Sequence, residues 1–476
     1  MPFKDLREFI ANLEKEKEVL RIEEEVDWNL EAGAMIRRSN EAGLPVPFFQ
    51  KVKDYPKGYR LMGGPLTNHR RVAIAMDLDA NTPPKELIEE YIRRTKRSIK
   101  PVQVKDGPCK ENIYIGDEVD LLKFPVPLVH EGDGGRFFGT WHLDINKDLD
   151  SDWVNWGMHR HMLHNKNTLG IESSPHTHIG QVFTQKYEPR KKTMEIAIVI
   201  GAEPICHFCA ESPIPFGVSE VDVAGGIRGE PVELIKCETI DLLVPATAEI
   251  VIEGEMRPFE RMVEGPFGEY TGYSVSRVRP APVVHVKAVT HRKDPIFTMT
   301  CVGMPIDECG INKSIAFAGS FLEALRARGL PVTAVSEPPE LCGNVPVVAV
   351  KTTSANIASE VAHVIWATQK GRIQPLIIIV DENVDVFNIK EVFHALATKC
   401  HPYKGIVKLE HEVGSIYLPW SNEYEQKYRI GGKAYFDCTW PVHWDPKDVP
   451  KRISFEESYP MEVQKKVLEK WRKYGY

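Results

Sequence analysis

No stretch of this chain strings eighteen apolar residues together, so a membrane-crossing helix is not expected. Blocks of lysine and arginine of the kind that track phosphate backbones are also missing, which argues against a nucleic-acid partner. The nine cysteines, at 109, 206, 209, 237, 301, 309, 342, 400 and 438, are odd in number and scattered, unlike a secreted disulfide scaffold. Cys206-x-x-Cys209 has no second CxxC at zinc-ribbon spacing; it follows an apolar run, so both thiols read as small buried hydrophobes. An HExxH zinc motif is absent. There is no internal repeat or low-complexity tract, and MPFKDLREFIANLEKEKEVL is a charged amphipathic helix pattern rather than a signal peptide. Free thiols fit a reducing cytosol, so a cytoplasmic protein of enzyme size is the expectation.

What is present is ordinary in bulk and specific in detail. At 476 residues, with 42% apolar and 27% charged residues and a net charge of −7, the chain calls for two or three domains. Residues 1–110 read as α+β: Leu6, Phe9, Ile10 and Leu13 share one face of a helix over Asp5 to Lys15, and Leu87, Ile88 and Tyr91 do so over Pro84 to Lys96. IKPVQVKDGPCKEN looks like a linker. Residues 111–305 change to short strands (MEIAIVIGAEP, AEIVIEGE, PVVHVKAVTHR) with PIPFG, GGIRGEP, VPATA and EGPFG as turns, a β-rich barrel or sandwich. From 306 to 476 strands and helices alternate, beginning with a helix that stops at Gly329, and imply an α/β domain. The last helix carries an apolar stripe of Met461, Val463, Val467, Leu468 and Trp471, which needs cover and predicts a homo-oligomer.

Four polar constellations stand out. Asn155-Trp-Gly-Met-His-Arg160 suits a strand or turn whose backbone approaches a ligand, although a strand with outward polar residues is the plainer reading. His176-Thr-His178 would set both imidazoles on one face of a strand, or be surface histidine. Glu220 precedes Gly225-Gly226, where an oxygen donor ahead of a turn suits Mg²⁺ or Mn²⁺ and an exposed acidic loop is the alternative. Glu264-Gly-Pro-Phe-Gly-Glu269-Tyr-Thr-Gly-Tyr273 places two carboxylates across a bent, aromatic segment. Burial there would shift one acid toward proton transfer while a neighbouring arginine holds the other ionised.

Taken together, NWGMHR, H-I-G, SExDxAGGIRGEPVELIKCET, VPATAEIVIEGE and EGPFGEYTGY resemble, in order and spacing, the UbiD family of decarboxylases. The resemblance runs over nearly the whole chain. It implies an N-terminal α+β domain (1–110), a split-barrel-like domain binding prenylated FMN and metal (111–305), and an oligomerising C-terminal α/β domain (306–476). It also implies that Asn155, His178 and Glu220 bind a divalent cation, Mn²⁺ or Mg²⁺, that grips the cofactor phosphate, with K⁺ near Trp156 and Glu220. Trp156, Met158, Pro213 and Arg160 would line the cofactor, and Lys370 would make a second phosphate contact. The catalytic set carried over is Arg160, Glu264 and Glu269: Arg160 holding Glu264 ionised and orienting the substrate carboxylate, Glu269 in the more apolar setting carrying the proton.

The implied reaction is reversible, non-oxidative decarboxylation of an aromatic or α,β-unsaturated acid, free or thioester-linked, with CO2 as co-product. A prenyl-FMN synthase would supply the cofactor, and a dimer or hexamer is expected. LVHEGDGGRFFGTWH and the C-terminal FDCTWPVHWDPKDVPKRISFEESYP look closest to the anaerobic aromatic-acid branch that includes the phenylphosphate carboxylase subunits. Two rivals stand beside this reading: a subunit that needs partner chains, and a metal-dependent hydrolase built on the histidines of 159–178.

Overall fold

In the computed structural model, which describes residues 2–275 and 277–476, Asp5 accepts a hydrogen bond from the Glu8 amide and so caps the helix Leu6–Lys15. Leu6, Phe9, Ile10 and Leu13 are all buried, as their spacing requires. Arg7 on the same helix clamps Glu249 through Nε and Nη2 at 2.7 and 2.8 Å, tying the N-terminal region to the central one. The N-terminal sheet runs Val19–Val26, Val46–Val52, Arg60–Gly63 and then Ile296–Met299, a strand the chain contributes only after leaving the central region. The expected linker is anchored: Val102–Gln103 pairs with Glu233–Lys236, and the buried Cys109 donates its amide to the Ala246 carbonyl.

The central sheet is antiparallel throughout. Its order is Phe137–Gly139, His161–Asn165, Thr168–Ile171, Arg279–His291, Ile250–Glu264, Met194–Ile200, His142–Lys147, Val154–Gly157, with Asn112–Ile115 added beside Arg279–His291. Alternation sorts its side chains. Ile196, Ile198 and Ile200 join one core with Ile250, Ile252 and Val284, while Ala197 and Val199 join another with Leu143 and Trp156. His161, one strand in from one edge, meets Asp144, one strand in from the other edge, at 2.7 Å. The sheet therefore curls into a half-barrel until side chains near its two ends touch.

The C-terminal region opens with Glu308–Asn312, a π turn over Lys313–Phe317 and Ala318–Ala327, and Gly329 takes φ +71° just beyond the helix end, as its sequence position predicts. A five-stranded sheet follows, ordered Val332–Ser336, Val347–Val350, Leu376–Asp381, Ile430–Cys438, Ile406–Val413, with the helices Ile357–Ala367 and Ile389–Lys399. The terminal helix Met461–Lys470 buries none of its residues; Met461 and Leu468 are 82% and 62% exposed. Among the described residues no helix is long and apolar enough to cross a membrane.

Candidate functional site

The three residues expected as metal ligands lie on separate elements that pack against one another. Asn155 lies on the edge strand Val154–Gly157 and is buried; its Nδ2 donates to Asn146 Oδ1 at 2.9 Å, which leaves Oδ1 buried with no hydrogen-bond donor. Glu220 is the first residue of the helix Glu220–Arg228, where the unpaired amides favour a carboxylate, and its Oε2 accepts the Trp156 amide at 2.9 Å. Its Oε1 lies 3.6 Å from His178 Nδ1. Gln369 Nε2 meets His178 Nε2 at 3.0 Å, so a C-terminal loop reaches the same place. Burial pushes the Glu220 carboxyl upward, against the His178 and Trp156 hydrogen bonds that favour its ionised form. An orphaned amide oxygen on a strand that packs against the elements of a paired carboxylate and imidazole is a donor set that suits a divalent cation.

Two local expectations are corrected here. His176 and His178 are not on a strand: Thr177 caps the short helix His178–Gln181, which turns the two imidazoles apart, and only His178 faces Glu220. Glu220 does not precede a turn either. Gly225 and Gly226 are helical and let the helix press on the chain at 97–99, where a Cβ on Gly226 would collide with the Arg97 carbonyl oxygen.

The second cluster lies where Arg160 leaves the edge of the half-barrel. Its Nε and Nη2 donate to Glu264 Oε1 and Oε2 at 2.7 and 3.0 Å, and its Nη1 donates to Glu269 Oε1 at 2.5 Å. The guanidinium also stacks over the Phe267 ring, 5.3 Å from its centroid. Burial opposes the Arg160 charge, but Glu269 and Glu264 outweigh it and raise its affinity for the proton. The two acids are distinguished differently from expectation: Glu264 is the more buried, at 0% exposure against 6% for Glu269. What separates them is the arginine, which gives Glu264 a two-pronged clamp and Glu269 one arm.

Sequence reasoning passed over the supports. Asp133 accepts the Gly268 amide at 2.9 Å, and Gly134 donates to the Pro266 carbonyl at 2.8 Å, so the GDGG loop pins the bend between the two acids. His130 packs edge-on against Phe267 and is paired with Asp133; burial opposes its charge, but that pairing and Cys301 bring its pKa up to about 10. Asn146 was legible only as part of an alternation, His142, Asp144 and Asn146 against Leu143 and Ile145. Of the other expected cofactor contacts, the Trp156 side chain packs in the core and only its amide reaches Glu220. Met158 is part-buried beside that core, and Pro213 is half-buried in the loop after the helix Pro204–Glu211. Lys370, next to Gln369, sits 5.7 Å from the Phe317 ring, and desolvation lowers its pKa. Cys206 and Cys209 are buried with their thiols pushed up by desolvation, so they are inert hydrophobes.

A half-barrel carrying a buried Arg–Glu–Glu cluster near Asn155, His178 and Glu220 points to a class of carboxy-lyase, and comparison with known proteins agrees. Residues 10–91, 100–305 and 316–438 match the N-terminal, Rift-related and C-terminal domains of 3-octaprenyl-4-hydroxybenzoate carboxy-lyase. The chain is 33% identical to pyrrole-2-carboxylic acid decarboxylase of Pseudomonas aeruginosa, over 99% of this chain and 98% of that protein. Vanillic acid decarboxylase of Sedimentibacter hydroxybenzoicus, in its closed form, superposes with a TM-score of 0.88 at 29% identity, over 99% and 100% of the two chains. The UbiD-class enzyme HmfF of Pelotomaculum thermopropionicum, in complex with FMN, gives 0.84 at 29% identity over 94% and 97%. An evolved dimeric form of HmfF in complex with prFMN gives 0.82 at 28% identity over 95% and 97%. This chain belongs to the UbiD family and is a decarboxylase.

Proposed function

We propose that the chain interconverts an aromatic or α,β-unsaturated carboxylic acid with its decarboxylated product and CO2, using prenylated FMN, a divalent cation (Mn²⁺ or Mg²⁺) and K⁺. The observation that carries this is Arg160 bonded to both Glu264 and Glu269, a few residues along the chain from a buried, donorless Asn155 oxygen. Asn155, His178 and Glu220 would hold the cation that neutralises the cofactor phosphate, with Lys370 as a second phosphate contact. K⁺ would sit beside Glu220 and the Trp156 backbone. Prenylated FMN, when bound, supplies the electron-poor centre that takes up the electrons released as CO2 leaves.

Everything else falls to the protein's own side chains. Arg160, fixed by the Glu264 clamp, orients the substrate carboxylate. Glu269, held by one arm, delivers the proton to the carbon that carried CO2 and takes it back in the reverse direction. The histidines of 159–178 diverge: His159 and His161 bond Asp144, His164 packs near Gly170, and His178 faces Glu220, so they build no single hydrolytic centre. Within the family we place the chain in the anaerobic aromatic-acid branch, on LVHEGDGGRFFGTWH and the C-terminal segment, and His178 supports a self-sufficient enzyme over a dependent subunit. We also propose the functional division 1–110, 111–305 and 306–476. The uncovered terminal helix supports assembly into a dimer or hexamer.

Co-expression with a prenyl-FMN synthase tests this. A modified-flavin absorption band with about one manganese-class ion per chain, and CO2 release from an aromatic acid, are expected. A colourless, metal-free protein made beside an active synthase refutes the cofactor assignment.

A further inference from the structure

Where the half-barrel closes on itself, three histidines surround one carboxylate. Asp144 is fully buried; its Oδ1 lies 2.7 Å from His161 Nε2 and 3.4 Å from His142 Nε2, and its Oδ2 lies 3.0 Å from His159 Nδ1. His142 and His161 are also fully buried. His142 makes no well-formed hydrogen bond: its Nδ1 has no partner, and its Nε2 meets only Asp144 Oδ1, as an ion-pair contact at 3.4 Å. A buried ring so poorly satisfied is costly unless it also binds something else. Among the described residues, His142, Asp144 and His161 are the one group of three or more histidine, cysteine or acidic side chains whose donor atoms converge within 4.8 Å.

We propose that His142, Asp144 and His161 form a second metal site, taking a divalent transition cation of the zinc class, distinct from the Asn155–His178–Glu220 cradle. Two imidazole nitrogens and one carboxylate oxygen suit Zn²⁺ or Fe²⁺ and are the wrong donors for Mg²⁺ or Ca²⁺. Donors at about 2.0–2.1 Å from a tetrahedral ion stand about 3.3 Å apart. The His142–Asp144 separation already matches, and the His161–Asp144 pair opens by about half an ångström as the cation enters between them, the neutral His161 ring carrying its one proton on Nδ1.

The site lies on a seam. His142 and Asp144 sit on the strand next to one edge of the sheet, and His161 on the strand next to the other. Gly139, on the edge strand, packs so closely that a Cβ there would come within 2.9 Å of both the His142 and His161 rings. An ion here would stitch the half-barrel shut. It would also fix Asp144, whose other oxygen holds His159 between Met158 and Arg160 on the wall of the site.

The test uses full-length protein made without prenyl-FMN synthase and carrying His178→Ala, so that the cofactor-linked cation does not enter the count. After chelation, equilibrium dialysis against Zn²⁺ should show one tight equivalent with a rise in Tm, and X-ray absorption should show two imidazole nitrogens in the zinc shell. Adding His161→Gln should abolish both the equivalent and the Tm rise. Should that variant unfold, Gly139→Ala, which keeps every donor but crowds both rings, should weaken Zn²⁺ binding at least tenfold. Absence of a tight equivalent in the His178→Ala protein overturns the proposal, and so does undiminished zinc uptake by the folded His161→Gln or Gly139→Ala protein. Loss of flavin binding in the wild-type enzyme would instead count against the cofactor assignment and leave this site standing.

Discussion

Replacing Arg160 by lysine keeps the positive charge and removes the fork, which makes it the sharpest probe of the Arg–Glu–Glu cluster. The guanidinium makes three charge-assisted bonds, two to Glu264 and one to Glu269, with all three side chains at least nine-tenths buried. A lysine ammonium is a point charge on a flexible stem and cannot reproduce a planar two-pronged grip while reaching a second acid. Losing two of the three bonds, at about 1.5–3 kcal/mol each, removes roughly 3–6 kcal/mol of orienting energy. If that energy serves the transition state, kcat/KM falls by roughly 10²- to 10⁴-fold at about 1.4 kcal/mol per decade. The assay is CO2 release from an accepted aromatic acid by cofactor-loaded Arg160→Lys, with the flavin spectrum and metal content measured on the same sample. Both should match wild type, because the cation cradle is untouched. A variant within tenfold of wild-type kcat/KM would refute the argument that the fork, rather than the charge, matters.

Glu269→Gln should bind cofactor and cation as wild type does and lose decarboxylation, read as CO2 release and as deuterium exchange into product; near-normal turnover refutes the proton-carrier role. Asn146→Ala touches no ligand position, yet its carbonyl fixes the Asn155 amide at 2.9 Å. Mn²⁺ affinity measured by calorimetry on cofactor-loaded protein should therefore drop about 10- to 100-fold, and an unchanged affinity removes Asn146 from the cradle. Glu337 is wholly buried, and desolvation lifts its pKa from 4.5 to about 8 against the pull of Lys313 and of the Val345 backbone. The folded state thus keeps a proton that the unfolded chain sheds between pH 4.5 and 8, so stability falls as pH rises through that window, by about 3 kcal/mol at pH 7. Urea melts should show Glu337→Gln gaining on wild type from pH 5 to pH 8; a pH-independent difference between the two proteins refutes this.

How far the sequence could be read followed from how local each signal was. The helix Leu6–Lys15 was legible because its apolar spacing and Asp5 cap are contained within eleven residues. The strands Met194–Ile200 and Arg279–His291 announced themselves by β-branched runs. Glu264, Glu269 and Arg160 could be named because short motifs surround them, but their division of labour could not. That depends on which arms of one guanidinium reach which oxygens, a fact settled by the curl of the sheet. The His-x-His and Glu-before-Gly-Gly motifs were misassigned for one physical reason. Each sits at a helix N-terminus, where capping by Thr177 or packing of Gly226 on Arg97 decides the conformation and period-two or turn logic does not apply. Least legible was the seam. His142 and Asp144 share one strand and precede His161 by a whole hairpin, and the two strands lie near opposite edges of the sheet. Only closure of the half-barrel makes them neighbours, so the same curl that presents Arg160 to its two acids also forces three histidines around a single buried carboxylate.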